Sequence, residues 1–429
     1  MNELMEESPD FSRESVNITK SPRGRKLKQP LMLKLAKPKN AAEEKLRQYI
    51  IDTFAARQPS LARFAFENFT TMELAKHLLR HRTGSQHTLF NYVYDVHRFS
   101  KWLRKGPDQL LNSCRGQDEV PIPKTVIQMG RLLNDFADNL QEKMGMAPAT
   151  VYGMVRNIRF FFHLNGVRLR MPYRRSRWSI YEERAPTPEE LQKTISVADI
   201  RGKVIIALMA VGGFRNGTLV QLKYRHVKRD LEKGITPIHV HVEASITKGK
   251  HRDYDTFLNR EASEYLKAYL DARKNGTIGQ PPEFFNDESP LISNCRKIKP
   301  LDPPTIGDIV TELYVKAGLL IRNPKTRRYD LKAHSLRKFF LTQMVSMGVE
   351  RDYVEYMMGH TLSIYHDVKM KGVDFLRGIY VASGLSIQPR TRANKILDLI
   401  EIIHSWGLNP EEVLTQKALN ESLQHATSY

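Results

Sequence analysis

The chain has 429 residues, 41% hydrophobic and 27% charged, and its Lys and Arg outnumber Asp and Glu by 67 to 47, for a formal net charge of +20. That is a globular composition with room for about two or three domains, and so basic a balance points to a polyanion partner, nucleic acid first. Cys114 and Cys295 lie far apart with no Cys/His cluster near either, which argues against a zinc site or a disulfide framework. No apolar run approaches a membrane span, and the polar, acidic start "MNELMEESPDFSRES" is no signal peptide, so a soluble cytoplasmic protein is expected.

In chain order, residues 1–40 read as a flexible basic arm, with Lys or Arg at 20, 23, 25, 26, 28, 34, 37 and 39 between Pro22, Pro30 and Pro38. Such an arm either touches phosphates or only aids solubility. Residues 41–168 carry a helical pattern. "TLFNYVYDVHRFSKWLRK" sets Leu89, Tyr92, Val93, Val96, Phe99 and Trp102 at helical spacing, and "PATVYGMVRNIRFFFHLNG" closes the region, with Thr150 or a neighbour as cap and Gly166 as stop. The basic connector at 169–186 follows. Arg168, Arg170, Arg174, Arg175 and Arg177 are clustered there with Tyr173, Trp178 and Tyr181, and are candidates for contacts along a duplex backbone.

A second domain begins at "APTPEELQKTI", where Thr187 caps, Pro188 suits the first helical position and Glu190 completes a capping box. "KVIIALMAVGGFRNGTLVQL" reads as a buried apolar helix, a break at Gly212–Gly213 and a second helix. "GITPIHVHVEASITKGKHRDYDTFLN" reads as a β-hairpin that alternates around Ile238, Val240 and Val242 and turns at Lys248–Gly249–Lys250. Helices dominate again to residue 385. The tail, 389–429, holds an amphipathic pattern through Ile396, Leu399, Ile400, Ile403 and Trp406, then Asn409 as the cap of a short last helix.

Several short motifs stand in a telling order. Arg215 enters a helix just after two glycines, at an N-terminus that suits an anion. Lys248 sits on the basic hairpin. "LKAHSLRKFFLTQ" sets His334 and Arg337 three residues apart on one helix face. "MMGHTLS" supplies His360. Two tyrosines follow, Tyr365 in "SIYHDV" and Tyr380 in "FLRGIYVAS". Each motif alone is commonplace: a structural arginine, a solvated turn, a helix stop, a packed tyrosine.

In this order, across about residues 188–385, they resemble the tyrosine recombinase (phage integrase) family, and "GHTLSIYHDVKMKGVDFLRGIYVASGLSI" looks most like its archaeal branch. The resemblance implies a mainly α fold with a small β-hairpin or sheet. It would place a helical DNA-clasping domain at 41–168 and a catalytic domain at 187–388, with 389–429 as a C-terminal helical tail. It also implies a site-specific recombinase or integrase acting through a 3′-phosphotyrosyl intermediate, without metal, ATP or other cofactor. In that scheme Arg215 and Arg337 neutralise charge on the phosphate, and Lys248 protonates the leaving 5′-oxygen. His334 takes or relays the nucleophile's proton and His360 hydrogen-bonds the phosphate. Tyr380 is the preferred nucleophile and Tyr365 the alternative. Lys250 and Arg252 join the connector arginines as DNA contacts. The partner is double-stranded DNA, bound by a homo-tetramer on two sites, with a monomer or dimer expected without DNA. The chain departs from the family pattern twice. Members often have an acidic residue three after the first arginine, where Thr218 stands here, and the usual tyrosine position, about nine after the GH histidine, is Lys369. A type IB topoisomerase-like DNA relaxation activity and a catalytically inactive DNA-binding architectural protein are the other readings.

Overall fold

The computed structural model describes residues 13–20, 26–36, 38–55, 58–82, 84–170, 183–250, 252–277, 280–294, 298–323, 328–362, 367–388, 400, 403–404 and 407–413. The chain divides into two compact units, Met1–Ile180 and Tyr181–Tyr429. Both are mainly helical, with three small two-stranded sheets among the described residues.

The first unit opens with strands β1 (Arg13–Lys20) and β2 (Lys26–Ala36), paired antiparallel. They fall within the stretch expected to be a flexible arm. The period-two run of Leu31, Leu33 and Leu35 is a strand signal that the surrounding lysines and prolines mask. Seven α-helices follow among the described residues: α1 (Ala41–Phe54), α2 (Pro59–Glu67), α3 (Phe69–His81), α4 (Gln86–Leu103), α5 (Pro107–Asn112), α6 (Pro123–Asp138) and α7 (Pro148–Leu164). Leu89, Val93, Val96 and Phe99 of α4 are buried as the periodicity requires, while Tyr92 is half-buried and Trp102 stays 36% exposed. The helix also buries Asp95, which accepts from Asn157 Nδ2 at 2.8 Å. Ala147, not Thr150, caps α7, because Pro148 takes the first helical position; Gly166 ends the region at φ +78°.

In the second unit Thr187 and Glu190 make the expected reciprocal cap at the start of α8 (Pro188–Ser196). Arg184 clamps this entry, reaching both Glu190 oxygens at 2.6 and 2.7 Å and Asp330 at 2.7 Å. Helix α9 (Ile200–Gly212) is apolar all round, and every residue from Val204 to Gly212 is buried. A helix of that kind belongs at the centre of a core. Gly213 ends it in the left-handed region at φ +63°, where an added Cβ would meet the Phe340 ring at 2.9 Å. The chain then passes through α10 (Asn216–Leu219) and α11 (Arg225–Glu232) to strands β3 (Ile238–Val242) and β4 (Tyr254–Leu258). These pair antiparallel with Val242 opposite Tyr254, which is the hairpin read from the alternation. Helix α12 (Arg260–Asn275) packs on α9; short strands β5 (Ser293–Asn294) and β6 (Lys299–Pro300) follow. Helices α13 (Pro303–Lys316), α14 (Ala333–Ser346), α15 (Arg351–Met357) and α16 (Val373–Ala382) complete the unit. Most of the amphipathic tail helix expected through Trp406 lies outside the described residues. Asn409 does cap the backbone beyond it, accepting from Glu411 N–H at 3.1 Å.

Candidate active site

Three of the expected residues converge where α9, α14 and α15 end or begin. The left-handed turn at Gly213 brings Arg215 to the start of α10, and its Nη1 donates to the carbonyls of Met358 and Gly359 at 3.4 and 3.2 Å. Arg337, in the second turn of α14, is only 1% exposed. It donates to the carbonyl of Gly213, to Met358 O at 3.0 Å and to His360 Nε2 at 2.9 Å. The other imidazole nitrogen, Nδ1, bonds the Glu355 carboxylate. Both arginines therefore hang on the turn that ends α15.

The electrostatics follow from that packing. Burial first, and then the neighbouring Arg215, pull the Arg337 guanidinium down to about 10. Burial raises the Glu355 carboxyl, but its bond to His360 and its pairing with Arg351 outweigh this and leave it below the usual carboxylate range. Among the described residues no carboxylate pairs directly with either guanidinium. The centre is two cations held by carbonyl dipoles, an arrangement that suits an anion.

The remaining expected residues make no hydrogen bond with this group among the described residues, or lie outside the description. His334 stands exposed in the first turn of α14. Partial desolvation, then Arg337, Lys338 and Arg215, hold its imidazole below the usual range against the opposing pull of Glu183. Lys248, Lys250 and Arg252 are exposed on the loop between β3 and β4, and Lys250 adopts φ +55°. Arg168 and Arg170 are exposed in the first unit; Arg174, Arg175, Arg177 and Tyr365 lie outside the described residues. Lys369, at the usual tyrosine position, donates to Asp253 Oδ2 at 2.7 Å.

Tyr380, the preferred nucleophile, is packed in the core. It is 2% exposed, its hydroxyl donates to Val211 O at 2.9 Å, and its ring packs 5.5 Å from that of Phe257. Leu376, Tyr380 and Val381 form the buried face of α16, so the spacing that suggested a tethered nucleophile is the spacing of a core face.

The sequence reading missed two residues. Glu355, which orients His360, stands five residues before it on α15, and an acid one turn ahead of the Gly-His pair was a usable signal. Tyr254 at the start of β4 is buried against Gly359, where an added Cβ would lie 2.5 Å from its ring. Nothing local marked it.

The chain is similar to several known proteins. Residues 186–370 match the phage integrase family. Tyrosine recombinase XerC of Lactobacillus delbrueckii subsp. bulgaricus is 28% identical over 176 residues, 40% of this chain and 52% of that protein. Tyrosine recombinase XerA of Pyrococcus horikoshii is 28% identical over 192 residues, 43% of this chain and 57% of that one. The chain thus spans about half the length of the curated relatives it matches. Among solved structures, a Tn1549 transposon integrase with transposon right-end DNA is 15% identical, with 77% of this chain and 98% of that one covered, at a TM-score of 0.46. The XerH recombinase bound to its difH substrate is 14% identical, covering 85% and 97%, with a TM-score of 0.45. The segment that holds the arginine pair and His360 is the one that matches the phage integrase family.

Proposed function

We propose that this chain is a site-specific DNA recombinase that cuts and rejoins strands through a covalent phosphotyrosine. The observation that carries it is the convergence of Arg215, Arg337 and His360 on one turn, with no carboxylate among the described residues pairing either guanidinium. A phosphodiester fits that arrangement, since the two guanidiniums meet the charge that grows on its non-bridging oxygens.

Tyr365 is the nucleophile in this reading. Tyr380 has its hydroxyl buried and committed to Val211, and the family match at 186–370 includes Tyr365 and stops before Tyr380. Tyr365 is also tethered within about 17 Å of His360, the reach of five extended residues. Its phenolic oxygen attacks phosphorus as the bond to O5′ breaks, leaving a 3′-phosphotyrosyl ester and a 5′-hydroxyl. The phenol's proton passes to His334 and Lys248 supplies one to O5′. The 5′-hydroxyl of another strand reverses the step, so the ester keeps the bond energy and neither ATP nor metal is consumed. The helical region 41–168 clasps the duplex, 187–388 does the chemistry, and 389–429 serves assembly of a tetramer on two sites. Arg168, Arg170, Lys250 and Arg252, all exposed, are phosphate contacts.

Covalent trapping tests this. Wild type, Tyr365→Phe and Tyr380→Phe are incubated with nicked duplexes tiled across the DNA flanking the gene and run on a denaturing gel. Adducts from wild type and Tyr380→Phe, but not Tyr365→Phe, are expected. The reverse pattern returns the role to Tyr380 and requires α16 to leave the core. Absence of any adduct, with duplex binding intact, favours an architectural DNA-binding protein.

A further inference from the structure

The acceptors that hold the arginine pair lie on two separate turns, Gly213 at the end of α9 and Met358–Gly359 at the end of α15. Arg337 reaches both, so the gap between the turns decides whether its planar fork fits. Strand β4 spans that gap with two neighbouring side chains. Thr256 Oγ1 donates to Gly212 O at 3.0 Å, one residue before Gly213. Asp255 Oδ2 accepts from the Tyr356 hydroxyl of α15 at 2.7 Å, two residues before Met358. Both bonds are buried.

Asp255 is only 5% exposed, and burial disfavours a charged carboxylate. Three donors hold it: the Tyr356 hydroxyl on one oxygen, His239 Nε2 and His241 Nδ1, each at 2.8 Å, on the other. Burial raises the carboxyl, but these donors outweigh it and leave it well below the usual carboxylate range. Burial and then the bond to Asp255 push the Tyr356 phenol far up, so the phenol keeps its proton and donates to an ionised acceptor. Such a charge-assisted bond is shorter and stronger than a neutral one. Well-packed apolar side chains would often stabilise a core as well or better; what the acid adds is a fixed direction.

Tyr356 stands where that direction matters. Glu355, which bonds His360 Nδ1, comes just before it, and Met358, whose carbonyl receives both arginines, comes two after. A bond at Tyr356 therefore sets the rotation of α15 about its axis, and with it the aim of the Glu355 carboxylate and the Met358 carbonyl.

We propose that Asp255 is a positioning residue for the arginine–histidine site, acting through Tyr356: the carboxylate, clamped by His239 and His241, pins α15 to the hairpin at the rotation that lines up Glu355, His360 and Met358. That this pin serves strand cleavage rests on the recombinase reading; the pin itself does not.

The first arm of the test needs no DNA. In the full-length protein at alkaline pH, where an imidazole is neutral, NMR of isotope-labelled histidine rings reports which His360 nitrogen carries the proton, with His360→Gln assigning the signal. The Nδ1–H form is expected in wild type, because Nε2 accepts from Arg337. Tyr356→Phe keeps the ring, removes the hydroxyl and should move most of His360 to the Nε2–H form. Tyr269→Phe removes another buried hydroxyl of this unit, one that accepts from Ser293 N–H at 3.2 Å. It should leave the tautomer unchanged, which separates positioning from a general loss of stability. In the second arm, the single-turnover rate of adduct formation should fall about tenfold or more in Tyr356→Phe, with duplex affinity unchanged, as a misplaced catalytic group implies. An unchanged tautomer in Tyr356→Phe overturns the proposal whatever the adduct assay reads. A shifted tautomer with an unchanged adduct rate overturns the link to the reaction. A shifted tautomer, with no adduct from wild type on any DNA, upholds the pin and removes the recombinase reading instead. If Tyr356→Phe does not fold, Asp255→Asn, which takes the charge from the bond, supplies the same reading, and an unchanged tautomer there counts against the proposal.

Discussion

Arg337 and His360 meet at 2.9 Å through Nη2 and Nε2, and that contact selects the imidazole's tautomer. A guanidinium only donates, so Nε2 must be the bare nitrogen and Nδ1 must carry the proton given to Glu355. Glu355→Ala removes the group that holds this tautomer. It should lower adduct formation by about 10- to 100-fold, the range known for losing the outer partner of a metal-bound histidine. Glu355→Gln, whose amide oxygen still accepts from Nδ1, should lose much less. Single-turnover adduct assays beside gel shifts check this; a loss of duplex binding equal to the loss of cleavage would sink the orienting role.

Arg337 is also part of the fold. Sequence reasoning expects Arg337→Ala to abolish cleavage with duplex binding nearly intact. Burial adds that Gly213 and Met358 carbonyls lose their charged donor, a penalty of about 1.5–3 kcal/mol for a hydrogen bond to a charged group. Arg337→Lys keeps the charge but not the fork. It should remain closer to wild type in urea unfolding and still form almost no adduct. A lysine variant with wild-type cleavage would remove Arg337 from the transition state.

Tyr380→Phe separates packing from chemistry. The phenylalanine keeps the contact with Phe257 and leaves Val211 O without its donor. A loss of about 1–3 kcal/mol in unfolding free energy is expected, with adduct formation retained. Lost adducts at unchanged stability would contradict this.

What was legible in the sequence was local. The capping box at Thr187 and Glu190, the apolar helix ending at Gly213 and the β3–β4 hairpin each arise from neighbours within a few residues, and spacing records such neighbours. The order of Arg215, Arg337 and His360 was readable because each follows a local stop or start. Tyr380 carries two readings because a core face and a tethered nucleophile share the same helical spacing, and only its packing against Val211 and Phe257 speaks for the first. Tyr254 could not be found at all: it is remote in sequence from Gly359 and becomes important only when β4 meets the end of α15. Strands β1 and β2 were hidden by lysines and prolines that read equally well as a solvated arm.

Asp95 provides a prediction in the first unit. Burial lifts its carboxyl to about 6 from 3.8, despite opposing contributions from Asn157 and Arg98. A folded-state pKa raised above the unfolded one gives stability that is full below pH 3.8 and is lost as pH rises through 6. A shift of about two units is worth about 3 kcal/mol at most. Asp95→Asn should remove that loss. Its amide oxygen still accepts from Asn157 Nδ2, and its amide protons face a chain in which Asn157 Oδ1 has no partner. The variant should therefore be more stable by up to about 3 kcal/mol at pH 8 and about half that at pH 5. The check is urea unfolding of the full chain at both pH values, followed by hydrogen exchange of the α4 and α7 amides. A gain that is the same at pH 5 and pH 8 would mean that Asp95 is already ionised in the folded protein at pH 5 and that burial does not raise its carboxyl.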